Sequence, residues 1–154
     1  MESRARIGGH PIHPMLVPFP IALWTTSFVA DVIFYFQRNS SFLFVAKFLL
    51  AAGILGALGA AVVGFIDWMA IKDQGAKKVA NWHARLNMLA LILFLLSFFF
   101  RLGRYGGLVG HHLTIPFCLS AAGVILISIS GYLGGELAYR YGIGLSLKAG
   151  APVE

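Results

Sequence analysis

Apolar residues run along this chain in four long stretches, at about 15–36, 42–71, 81–101 and 113–139, with short polar or glycine-containing connections between them. A bilayer core about 30 Å thick needs about 20 apolar residues per helix, so each stretch predicts a membrane-spanning helix. Short connections favour sequential antiparallel neighbours. The expected fold is therefore an all-α membrane protein, four transmembrane helices in an up-down-up-down bundle. Residues 1–14 form an N-terminal segment, 15–141 the single transmembrane domain and 142–154 a flexible tail. The first stretch begins late and is long for a signal-peptide core, and no small-residue cleavage site follows it, so it is expected to stay as a span.

Composition agrees with this pattern. Of 154 residues 58% are hydrophobic and 12% charged, about half the charged fraction of a soluble domain; mean hydropathy is +0.81. The net charge of +6 does not read as a nucleic-acid surface, because the basic residues are spread over the membrane flanks, where they set topology. Arg4, Arg6, Lys72, Lys77, Lys78, Arg85, Arg140 and Lys148 fall on the side of the termini and second loop. Arg38, Lys47, Arg101 and Arg104 fall on the other. This bias predicts both termini in the cytoplasm. Cys118 is the single cysteine, which excludes an internal disulfide, a CxxC metal clamp and a CxxCH haem attachment.

The exceptions to apolarity carry the candidate chemistry. The first span is preceded by Gly9-His10-Pro11-Ile12-His13-Pro14 and broken early by Pro18 and Pro20. Imidazole is the commonest metal-ligating side chain, and prolines stiffen the backbone that presents it. Asp31 lies deep in span one, where a carboxylate costs roughly 2.5–3.5 kcal/mol to insert; a buried pair with Arg101, or a hydrogen bond to His111 or His112, is its expected relief. Asp67 is expected to pair with Lys72 or Arg85. In span two Ala52, Gly56, Ala60 and Gly64 recur every fourth position, a small-residue face that admits close helix packing or a flat cofactor. Trp68 and Trp82 suit the interfacial aromatic belt. Span three, a Leu/Phe run, reads as lipid-facing. In span four Glu136 and Arg140 stand i,i+4 and can pair.

In the up-down bundle the starts of spans one and three share a membrane face with the ends of spans two and four. His10, His13, Asp67, His83, Glu136 and Arg140 then collect at one face, while Asp31, Arg101, His111 and His112 form a poorer group at the other. Three readings follow. In the first, His13 and His83, with His10 as an alternative, are axial ligands of a b-type haem that exchanges electrons with a quinone or a redox partner subunit. Arg85 or Arg140 would neutralise the propionates, and the glycines of span two would make room. A start of span three near Asn81 makes His83 shallow for this role. In the second, His10, His13, His83, Asp67 and Glu136 hold a zinc or copper ion; the chain has no HExxH motif of the zincin type. In the third the protein binds no cofactor and is an accessory or scaffold subunit of a larger membrane complex. None names a catalytic residue, and an electron-transfer or accessory role fits better than a stand-alone enzyme.

The run from Gly9 to Trp24 resembles the opening of the bacterial membrane family known as domain of unknown function 2231. Gly64-Phe65-Ile66-Asp67-Trp68, Trp82-His83 and the stretch from Gly131 to Gly144 resemble its later landmarks, so the likeness covers nearly the whole chain. The resemblance implies a four-helix bacterial membrane protein of unassigned activity, similar in outline to four-helix b-type cytochromes and met elsewhere joined to iron–sulfur domains. It also implies a histidine where this chain has Tyr141.

Overall fold

In the computed structural model, which describes residues 3–102 and 113–144, four helical spans cover Ile12–Gln37, Ser41–Ala70, Gln74–Leu102 and Thr114–Tyr139. The chain is a multi-pass membrane protein of the expected class. The first span is two contiguous helices, α1 (Ile12–Leu16) and α2 (Pro18–Gln37). Their junction, Val17, keeps right-handed helical angles, so Pro18 and Pro20 interrupt the hydrogen-bond ladder without turning the chain aside. α3 (Ser41–Ala70), α4 (Gln74–Leu102) and α5 (Thr114–Tyr139) follow. Ahead of α1 a small antiparallel hairpin pairs β1 (Arg6–Ile7) with β2 (His10–Pro11). Its two-residue loop, Gly8-Gly9, takes positive φ at both positions, the geometry that matches strand twist and that glycine adopts without strain.

Two boundaries differ from the apolar pattern. Helix α1 starts at Ile12 and takes His13 into its first turn. Helix α4 starts at Gln74, seven residues before the apolar run, because the Asp73 carboxylate accepts a hydrogen bond from the Ala76 amide at 2.7 Å and caps the polar first turn. His83 therefore stands about 13 Å along its helix at 1.5 Å per residue, of which about two turns precede the apolar run.

The interior is built from stripes rather than from general apolarity, since lipid tails are as apolar as leucine. Pro20, Trp24, Ser27, Asp31 and Phe34 are buried on α2; Ala46, Leu50, Gly53 and Ala60 on α3. Ala76, Ala80, Ala90, Phe94, Ser97 and Arg101 are buried on α4; Pro116, Ser120, Gly123, Ile127, Ser130 and Leu137 on α5. Alternate steps of three and four hold a seam to one neighbour and favour a left-handed crossing. Span three is thus no more lipid-facing than the others: one stripe of α4 is interior, and Met88, Leu89, Ile92, Leu96 and Phe99 face outward.

The stripes also reveal a repeat. Trp24 packs over Gly53, and Phe94 packs over Gly123. Ser27 donates to the Ala46 carbonyl at 2.7 Å, and Ser97 to the Pro116 carbonyl at 2.8 Å. Nδ1 of His13 meets the Ala60 carbonyl at 2.9 Å, and Nδ1 of His83 the Ser130 carbonyl at 2.8 Å. His13 lies against Gly64, and His83 against Gly134. Every counterpart lies seventy residues on, the separation that also joins Asp31 to Arg101. The bundle is two equivalent helical hairpins, α1–α2 with α3 and α4 with α5.

Equivalent residues also meet one another. His13 faces His83, Trp24 stacks on Phe94 with ring centroids 4.2 Å apart, and Asp31 pairs with Arg101. A residue can touch its own counterpart only on a two-fold axis. Since α2 and α4 run in the same direction, this pseudo-two-fold axis runs along the helices. The histidine, aromatic and ionic levels are spaced by roughly 16 and 10 Å along it, by helix rise.

Candidate functional site

The histidine level is the candidate site. The Ala60 and Ser130 carbonyls can only accept, so Nδ1 is the donor in both rings, and in the neutral imidazole Nε2 holds the lone pair. Ser130 adds a hydroxyl that stands 3.0 Å from Nδ1 of His83 and donates to the His83 carbonyl. The two ring centroids are 6.4 Å apart with planes at 85°. Glycine is required for this seating. A Cβ at Gly64 would come within 2.7 Å of His13, and one at Gly134 within 3.2 Å of His83. Besides the Ser130 hydroxyl, which Ala60 lacks, the two rings differ in a second respect. Asn87 donates from Nδ2 to Nε2 of His83 at 3.0 Å, whereas the residue seventy positions earlier is Val17.

The other residues anticipated at this face have separate positions. His10 is exposed on β2. Asp67 faces neither Lys72 nor Arg85 in an ion pair. Its carboxylate accepts hydrogen bonds from Ser3 Oγ at 2.7 Å and from the backbone amides of Arg4 and Ala5 at 2.9 and 3.2 Å. It ties the N-terminal segment to the end of α3, because three donors on that segment supply what a surface lysine would have offered. Arg85 is exposed, 5.5 Å over the Trp82 ring. Glu136 accepts from Arg140 at 2.7 Å as the i,i+4 spacing predicts, and this acceptor holds the fully exposed guanidinium above its ordinary pKa. Tyr141 packs against Gly75 and joins Trp68, Val79 and Ile143 around Ile71, Ala76 and Leu137. Trp68 donates to Asn81 and lies under the Lys77 ammonium, 3.5 Å from the ring centroid. Trp82 is exposed, as an interfacial residue should be.

Among the described residues no three His, Cys, Asp or Glu side chains are grouped so that they could hold one metal ion. The glycine face of α3 serves side-chain packing: Gly53 receives Trp24, Gly56 meets Pro20, and Gly64 meets His13. At the opposite end Asp31 is paired with Arg101, as expected. His111 and His112 lie outside the described residues.

What sequence reasoning missed was the repeat, which places His13 and His83, already named together, at equivalent positions of the two hairpins. The signal was present in Ala51-Ala52-Gly53 and Ala121-Ala122-Gly123, in Ser27-Phe28 and Ser97-Phe98, and in Gly64 and Gly134. The family model for domain of unknown function 2231, described as a predicted membrane protein, matches residues 9–147. No curated protein and no solved structure matches the chain.

Proposed function

The chain belongs to the DUF2231 family of predicted membrane proteins, and we propose that it is a b-type haem-binding redox subunit whose axial ligands are His13 and His83. The observation that carries the reading is the pair of facing imidazoles, each with Nδ1–H fixed on a backbone carbonyl. That hydrogen bond is the usual orienting partner of a metal-ligating histidine and leaves Nε2 as the ligand atom. Two metal–nitrogen bonds of about 2 Å put the ring nitrogens about 4 Å apart and the ring centroids roughly 6 Å apart. The 6.4 Å centroid separation is of that size. Donor number favours haem over a zinc or copper ion. A structural zinc site needs four protein ligands and a catalytic one three, whereas haem iron takes its other four donors from the porphyrin.

In this reading haem supplies one-electron chemistry. The chain fixes both rings through Ala60, Ser130, Gly64 and Gly134, and His83 would serve as a ligand once Asn87 gives up its hydrogen bond to Nε2. Arg85 and Arg140 are placed outside the pair, so the propionate role drawn from the sequence is not retained. Electron exchange with a quinone or a partner subunit is part of the proposal, as is a bacterial inner-membrane location with cytoplasmic termini, which rests on the Lys/Arg bias.

A second reading has an observation of its own. Asn87 already satisfies His83 Nε2, so the two histidines could be a hydrogen-bonded brace in a cofactor-free accessory subunit. Purified protein distinguishes the two. The haem reading expects a Soret band and a sharp reduced α-band, lost in His13→Ala and in His83→Ala and kept in His10→Ala. A colourless wild-type protein that does not take up added haemin overturns it and leaves the brace.

A further inference from the structure

The ionic level of the axis is the best-built polar group in the molecule, and the redox reading makes no use of it. Arg101 donates to both carboxylate oxygens of Asp31 at 2.7 Å from its two terminal nitrogens. Both side chains are almost fully buried, at 6% and 5% exposure. Two further guanidinium hydrogens reach hydroxyls: Nε reaches Ser97 at 3.3 Å, and Nη2 reaches Ser120 at 3.3 Å. Ser97 and Ser120 are themselves 2.9 Å apart. A buried, bidentate pair contributes little stability over an apolar equivalent, but removing one partner is costly. Such pairs serve best as devices that choose between alternative packings.

The repeat says which packings compete. Each hairpin meets the other through the face that carries its own equivalent positions, so a hairpin could in principle pair with a copy of itself. The histidine and aromatic levels would accept that arrangement, setting His on His and a large ring on a large ring. The ionic level would not: two copies of the first hairpin would oppose Asp31 to Asp31, and two of the second Arg101 to Arg101. Burying like charges side by side in a membrane interior is strongly unfavourable.

We infer that the protein is a fused pair of homologous two-helix units, and that the Asp31–Arg101 pair is the lock that admits only unlike units to the shared face. The partner fitted by the α1–α3 unit is thus a homologous hairpin bearing a buried cation at the equivalent position, which this chain carries in α4 and α5. The lock depends on interchangeable sides, with one built-in asymmetry. Ser27 and Ser97 are equivalent and both present, but the hydroxyl of Ser120 stands opposite Leu50 in the other unit.

Four full-length variants in detergent test this, read by thermal unfolding and by the mass of the protein in the micelle. Asp31→Arg and Arg101→Asp each place like charges on the axis, and each is expected to lower Tm by at least about 10 °C or to prevent folding. The exchanged double variant, Asp31→Arg with Arg101→Asp, is expected to recover a monomeric fold and most of the loss. Adding Leu50→Ser and Ser120→Leu to the exchange carries the hydroxyl across the axis and is expected to recover a further part of Tm. An exchanged variant as damaged as the single ones, or a fourth variant less stable than the exchanged one, would show that the two sides are not interchangeable and overturn the inference. Single variants indistinguishable from wild type would overturn it as well.

Discussion

Gly64 and Gly134 decide whether two imidazoles can lie against the neighbouring helix, and they differ in how much room remains. A Cβ at Gly64 would stand 2.7 Å from His13 Cε1, a distance that no relaxation of a short ring removes cheaply. At Gly134 the gap to His83 is 3.2 Å. Gly64→Ala is therefore expected to cost about 1–3 kcal/mol of stability by overpacking and to displace His13, with Gly134→Ala milder; thermal unfolding beside haem uptake checks both. Asn87 offers a converse test. Replacing it by valine, the residue at the equivalent Val17, frees Nε2 of His83, so Asn87→Val should bind haemin at least as well as wild type in a titration. Weaker binding would mean that the amide orients His83 rather than stoppering it.

Among the elements, the spans were legible from apolar run length because the bilayer fixes that length. Two starts, those of α1 and α4, were not, since polar and proline-containing residues hide them. The start of α4 depends on Asp73 capping Ala76, and a polar first turn hid it. Asp67 shows the same limit. Its lysine and arginine neighbours in sequence suggested ion pairs, while its partners lie more than sixty positions away on the N-terminal segment. That contact makes a prediction for the element it anchors. Asp67→Ala removes the acceptor for the Arg4 and Ala5 amides, which amounts to about 1–3 kcal/mol of local stability. Protection of those two amides from hydrogen exchange should fall roughly tenfold or more, about 1.4 kcal/mol per decade, while protection in α2 and α4 stays unchanged. Equal loss across the bundle would mean that the segment is part of the core rather than a strap on it.

For the whole molecule, placing the polar residues by membrane face brought His13 and His83 together correctly but gathered too many others with them. Face alone does not say which side of a helix a residue occupies, and His10, Arg85 and Arg140 are all turned outward. The group judged poorer, Asp31 with Arg101, proved the more completely bonded. The repeat supplies the missing constraint, because a residue meets its own counterpart in the other hairpin only on the axis. Those positions form a column of imidazoles, aromatic rings and an ion pair over roughly 27 Å of helix rise, close to the thickness of a bilayer core. The histidines occupy one end of this column.

The central claim is the proposal that these two histidines, one from each hairpin, would hold a single haem. Two imidazole nitrogens would give its ferric iron a low-spin signal. Low-temperature electron paramagnetic resonance of the oxidised, haem-loaded protein is therefore expected to show that signal, and to lose it in both His13→Ala and His83→Ala. A high-spin ferric signal in the wild type, or a low-spin signal that survives either substitution, would contradict the claim.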